Sequence, residues 1–403
     1  MYRFNLWLAA ACVAAIACGD SSRQSAAAVV VDTLPGGIPR TMSSAPVDAG
    51  RWHLEPARVI QPEEETDGEL THPQSVAIAN DGSVVVADIR PVSIKVYGPD
   101  GQFRHAFGRE GAGPGEFRTA VVALRGDTLV VQDPSNARVT TFDWRTGRLL
   151  HSTPSACCFS TPVAVDEAGR AWLRTTPPSR PDSSFRFVQG WLRVSLASGA
   201  RDTLYAYERA DLPEQRRWSL ALGRTLMRVA VPMSPQVYFA VDSEGRVISG
   251  WSGEYSLRVS RDGRDTLALF GRRWSPQAIG EEEKTRHTEA RVEEVRRLVP
   301  PAGAAARAAF DRSHIPGTRP AFDAIYADAA GRRWVLRNEA DTTASSFDLF
   351  GADGRWLDSL RLPRSVWPGS PSAPLAFGAR EIAAVMEGED GRPLVRVFTI
   401  RRR

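Results

Sequence analysis

Lysine is almost missing from this chain: Lys95 and Lys284 are the only two, so arginine carries nearly all the positive charge of its 403 residues. Lysine and arginine together number 51 against 47 acidic residues, and a net charge of +4 is no basic excess of the kind that grips nucleic acid. Cysteine is as sparse. Cys12 and Cys18 stand in residues 1–18, which leaves Cys157 and Cys158 for the body, without the Cys-x-x-Cys or histidine spacing of a metal or redox centre. The six histidines (His53, His72, His105, His151, His287 and His314) include no close pair, which argues against a histidine-ligated zinc or copper. No Gly-x-Ser-x-Gly nucleophile elbow occurs. The glycine cluster Gly108 to Gly115 lacks the Gly-Lys-Ser/Thr ending of a phosphate loop. With 42% hydrophobic and 24% charged residues, wholesale disorder is excluded as well.

What is present begins with an address. Arg3 precedes an apolar run from Leu6 to Ala17, shorter than the ~20 residues that cross a bilayer, so residues 1–18 read as a signal peptide. Its end, Ala15-Ile16-Ala17-Cys18, resembles a bacterial lipobox, in which the cysteine takes the lipid; Ala15 departs from the leucine that pattern prefers. The alternative is a secretory signal cut near Ala17 or among Ala26 to Ala28. Residues 19–50, rich in Ser, Ala, Gly and Pro, read as a flexible linker. Export permits a vicinal disulfide between Cys157 and Cys158, with two reduced, half-buried thiols as the alternative.

The body is repetitive. From His72 to Phe117 two hairpins follow each other, one turning at Asp81-Gly82 and one at Pro99-Asp100-Gly101. Asp-Gly between β-branched runs signals a tight turn, because that turn needs positive φ. The first turn recurs at Gly126, Gly169, Gly245 and Gly331, and the second at Gly147, Gly263 and Gly354. The early steps match a four-stranded propeller blade of ~40–45 residues, and the later steps add an insertion each. A weaker last unit runs from Leu375 to Ile400. This predicts an all-β six-bladed propeller over residues 51–403, with a helical insertion at 272–321 between blades four and five. A ring must close to bury its last edge, so residues 51–61 are expected to supply the outermost strand of the sixth blade. The Arg401-Arg402-Arg403 tail is then a solvated terminus.

His72 to Phe117 resembles an NHL-type repeat, in the Val-Ala-Asp that ends its second strand and in its Gly-x-x-Gly-x-Gly-Pro-Gly-Glu-Phe tail; Asp133 to Asp143 is similar to the second hairpin of such a unit. The chain after about residue 50 resembles the bacterial six-bladed propeller lipoproteins built from these units. The resemblance implies an exported, lipid-anchored, non-catalytic binding or scaffold module in the cell envelope, periplasmic or at the surface, for a protein, peptide or glycan. It touches the membrane through its anchor only. Neither a cofactor nor a metal is expected.

Blade topology places the long segments Leu204–Gln236, Arg272–Ala321 and Thr175–Gln189 on one face, and loops on a rigid scaffold carry function. The longest holds a charged helical stretch with an apolar stripe of Ala290, Val292, Val295, Leu298 and Val299. It reads as a lid or partner-facing helix, or as a packing helix over a blade edge. Strand starts near Gln74, Arg118, Thr161, Gln236, Asp323 and Pro374, with Asp88, Arg90, Asp133, Arg138, Glu254 and Arg337 in neighbouring loops, are the candidate mouth of the central channel. The alternative function is a propeller enzyme there, a metal-dependent lactonase or hydrolase, or a lyase. Calcium would need six to eight oxygen ligands, yet only Asp323 among the strand starts is acidic, and Asn80, Asn136 and Asn338 belong to turns or loops.

Overall fold

The computed structural model describes residues 28–155, 164–175, 185–209, 213, 215–341, 343–363 and 375–403. Cys18, Cys157, Cys158, Thr161 and Pro374 therefore lie outside the described residues. Six antiparallel sheets succeed one another along the chain. Blade one spans Pro73–Phe107, blade two Val121–Pro154, blade three Ala164–Arg209, blade four Val237–Arg272 and blade five Phe322–Pro363. Blade six joins Leu375–Phe377, Glu381–Glu387 and Pro393–Arg402 to a fourth strand from far upstream, Trp52–Ile60. That last pairing is antiparallel and runs from Val395 opposite Ile60 to Arg402 opposite Trp52.

Alternating strand residues point to opposite faces, so each blade offers an apolar surface to both neighbours. Six separate cores result, one at each blade boundary. Val85, Ile94, Phe117 and Val131 fill the seam of blades one and two, and Val130, Val139, Leu173 and Val194 the next. Trp172 and Trp191 meet Val241 and Val247 between blades three and four. Tyr255, Phe270, Phe322 and Phe350 fill the seam of four and five, Trp334, Phe347, Ile382 and Phe398 that of five and six. Ile60, Val84, Tyr97 and Val395 close the ring. The glycine-rich tail of the first repeat is a blade-to-blade turn: Gly108 has φ of 79°, and a Cβ there would run into the Phe117 ring.

The first hairpin turns of blades three, four and five repeat Asp-x-x-Gly-Arg, at Asp166, Asp242 and Asp328. Each carboxylate accepts from the backbone N–H and the Nε of the arginine four residues on, for example Arg332 at 2.9 and 2.6 Å. Asp166 and Asp328 also accept from the indoles of Trp172 and Trp334 at 2.9 and 2.8 Å. This device ties the turn to the core of the seam, satisfying a buried indole N–H that would otherwise be costly.

Several expectations change. The segment read as a linker, 19–50, contains a hairpin, Val29–Leu34 with Ile38–Ser43, whose second strand pairs in parallel with Ala268–Arg272 and makes blade four six-stranded. Leu204 belongs to the outer strand of blade three, Arg201–Arg209, so the following insertion begins after that strand. The helical insertion is present as α1 (Glu281–Leu298) and α2 (Gly303–Ala309). Of the expected stripe only Val292 and Val295 are buried, Val299 is half-buried, and Ala290 and Leu298 face solvent. The arginine tail is not merely solvated: Arg402 pairs with Asp48 at 2.9 Å and Arg401 with Glu55 at 3.4 Å. No helix among the described residues is long and apolar enough to cross a membrane.

Trp334 is fully buried in the seam of blades five and six. Trp334→Ala should cost about 3–5 kcal/mol in urea unfolding, the usual range for emptying such a site. A loss under ~1 kcal/mol would contradict the assignment of that seam as core.

Candidate functional site

The two inter-blade insertions, distant in sequence, fold into one body. The hairpin Arg217–Leu222 with Thr225–Ala230 packs Trp218 flat on Phe310, with ring centroids 4.5 Å apart. Its indole N–H donates to the Asp311 carbonyl at 3.0 Å. Leu220, Val292, Val295, Ala302, Ala306 and Ile315 complete the core. Helix α1 begins with Glu281, Glu282 and Glu283 and ends with Arg296 and Arg297, an order that suits the helix dipole. Arg307 of α2 holds Glu289 of α1 at 2.7 Å.

This body stands on the seam of blades four and five. The chain leaves blade four at Arg272 and returns to blade five at Ala321, and the two stalks are tied together: Arg319 N–H donates to Gln277 O at 2.8 Å, and Ile279 N–H to Gly317 O at 2.9 Å. Beside them opens a cavity of about 320 Å³, lined by Arg272, Arg273, Trp274, Gln277, Arg319, Arg337, Asn338 and Glu339, with Ser44 from the N-terminal hairpin at its edge. Three of its four guanidiniums are held from behind. Arg272 pairs with the buried Asp348 at 2.6 Å and stacks between Tyr255 and Trp356, 4.7 and 4.6 Å from the ring centres. Arg319 pairs with Glu283 of α1, and Arg337 with Glu339. Burial works against the Arg272 charge, but Asp348 and Tyr255 beside it outweigh burial and keep its pKa above the ordinary value.

Next to this cavity two of the expected mouth residues converge. Gln236 Nε2 donates to the Tyr238 hydroxyl, and Asp323 accepts from Asn338 Nδ2 at 2.9 Å on both oxygens. The insertion body reaches the same place: Gln215 donates to Gln236 at 2.9 Å, and Met233 Sδ lies 3.5 Å from Asn338 Nδ2. Burial, and then the charge of Asp323, raises Tyr238 and Tyr326 above the ordinary phenol range, Tyr326 to about 12.

The remaining expected residues do not join them. Asp88 is fully buried and spends its carboxylate on Thr71, on the His72 N–H at 2.7 Å and on Lys95 at 3.0 Å. Asp133 does the same for Arg118 N–H, Thr119 and Asn136. Both are caps that fasten the first strand of a blade to the second. Arg138 donates to the carbonyls of Ala112 and Gly113 at 2.9 and 3.0 Å and so pins the glycine-rich turn. Gln74 reaches the Ala120 N–H of the next blade at 3.5 Å, while the Arg90, Arg118 and Glu254 side chains are exposed. Arg337 alone among the expected residues lines the cavity. Arg272, Arg273 and Arg319 were not anticipated, because no local pattern links arginines from separate segments. Among the described residues no three His, Cys, Asp or Glu side chains gather as metal ligands.

No family model matches the chain, and no curated protein sequence does. Solved structures do. A member of the DUF4221 family from Bacteroides vulgatus superposes with a TM-score of 0.51 at 11% identity, over 88% of this chain and 99% of that one. A protein from Bacteroides fragilis described as exported gives 0.46 at 10% identity, over 90% and 98%. Virginiamycin B lyase from Staphylococcus aureus gives 0.40 at 9% identity, over 86% and 99%.

A raised phenol pKa favours the folded state fully below the unfolded value near 10, and that advantage fades as pH rises through about 12. Asp323→Asn should therefore lower the alkaline titration midpoint of Tyr326, read by tyrosinate absorbance against a Tyr326→Phe blank. An unchanged midpoint would show that the Asp323 charge does not reach this ring. At this level of likeness the DUF4221 match is one of fold: the chain is a six-bladed β-propeller.

Proposed function

We propose that the chain is an exported, lipid-anchored, NHL-like propeller of the bacterial cell envelope, attached through Cys18, which acts as a non-catalytic binding or scaffold module for a protein, peptide or glycan. The observation that carries this reading is convergence. The end of the N-terminal hairpin, both stalks of the second insertion and the loop after the second strand of blade five line one polar cavity, and the first insertion packs on the second beside it, with Met233 against Asn338. Additions to a symmetric scaffold that gather at one place on one face mark where it is used. The signal sequence and its Cys18 support export and anchoring.

A photo-cross-linker at Ser275, exposed on the rim of the cavity, should give a discrete adduct in intact envelopes. The same group at Arg261, in a turn of the opposite face, should give none. Equal adducts at both positions, or at Arg261 alone, would overturn the assignment of the binding face. Chelation with EDTA should leave the melting temperature unchanged. A fall that calcium or zinc reverses would favour the metal-dependent propeller enzyme instead.

A further inference from the structure

We infer that the cavity between blades four and five takes a small acidic sugar, a ring bearing one carboxylate and several hydroxyls. The inference rests on the reading of this face as the binding face and names its ligand. It begins from the charges. Arg272, Arg319 and Arg337 are each met by a carboxylate, Asp348, Glu283 and Glu339. Arg273, between Arg272 and Trp274 on the same wall, has neither an ion pair nor a side-chain hydrogen bond among the described residues. Arg273 is thus the one guanidinium of the lining with no carboxylate on it, in a wall that the other three pairs hold rigid. A guanidinium presents a planar fork suited to a carboxylate.

Size and lining select the rest of the ligand. At about 320 Å³ the cavity lies at the small end of the ~300–1,000 Å³ range of ligand sites. Asn338 is already spent on Asp323 and Arg319, which leaves Ser275 and Gln277 as the lining's hydrogen-bonding groups for a ligand, and an apolar side chain would not pair them. Hydroxyls satisfy them. The half-buried Trp274 offers a flat apolar surface with a polar tip, which suits a sugar ring. The contrast is the cavity of about 350 Å³ beside Trp144 in blades one and two. There Arg145 is taken by Asp81 and Asp127 at 3.1 and 2.8 Å and Arg104 by Asp100 at 2.5 Å, so neither guanidinium is left for a ligand.

The test is calorimetric titration of the intact protein with glucuronate, glucose and inorganic phosphate. Three proteins are compared: the wild type, Arg273→Ala and the opposite-face control Arg261→Ala. Glucuronate should bind saturably and at least about tenfold more tightly than glucose or phosphate, the scale of one charge-assisted hydrogen bond. Arg273→Ala should weaken it about tenfold with melting unchanged, since that side chain is exposed, and Arg261→Ala should not. Absence of saturable glucuronate binding, or an unaffected Arg273→Ala, overturns the inference. Equal binding of phosphate overturns the sugar and leaves a general anion site. If the Ser275 cross-link forms while glucuronate fails, the binding face stands and only the ligand class falls; if the cross-link also fails, the face itself is wrong.

Discussion

Everything in this molecule depends on the pairing of Trp52–Ile60 with Pro393–Arg402. A propeller whose last blade lacks its outer strand exposes an open edge and one unsupported seam. Here the start of the body is folded back onto its end, so that Ile60 and Val395 enter the core that joins blades six and one. The clasp is reinforced outside the sheet, where Arg58 holds Glu381 at 2.8 Å and Arg402 holds Asp48 at 2.9 Å. With the ring closed, each of the six seams is a small apolar core bounded by two rigid sheets. Position on one blade then determines position on all.

That rigidity gives the additions something to stand on. The insertion body has its own core around Trp218 and Phe310, is held to its stalk by Glu283 on Arg319, and touches the ring through Gln215 on Gln236 and Met233 on Asn338. Its stalks are stitched at Gln277 and Arg319. The N-terminal hairpin meets the same stalk, where Arg273 N–H donates to Ser43 O at 2.8 Å. The result is a cavity whose walls come from four separate segments, held by ion pairs that half-burial shields from solvent more than surface pairs are shielded.

The architecture was legible because its signals are local. Asp81-Gly82 and Asp100-Gly101 announce hairpins within a few residues, and their recurrence counts blades even where the strands are poorly matched. The closing strand was legible from the need to close a ring together with the apolar run at Trp52. The hairpin at Val29–Ser43 was readable too, since Gly36-Gly37 between β-branched runs is a turn signal. Composition alone made the segment look like a tether. The Asp-x-x-Gly-Arg turns were visible as turns, but the pairing of Asp328 with Trp334 needs the bend of the hairpin to bring carboxylate and indole together. The cavity lay beyond reach. Arg273, Arg319 and Arg337 come from separate segments, and only the folding of the insertion sets them around one space. The strand-end acids Asp88 and Asp133 look identical in sequence to mouth ligands, and burial against Thr71 and Thr119 makes them caps.

Native-state hydrogen exchange tests the central claim most directly, namely that a ring closed by its own N-terminal strand carries two distant insertions as one body. The amides of Trp52–Ile60 should exchange as slowly as those of Pro393–Arg402. The hairpin at Arg217–Ala230 should exchange together with α1, as one cooperative unit. Fast exchange in Trp52–Ile60, or a hairpin that opens independently of α1, would contradict it.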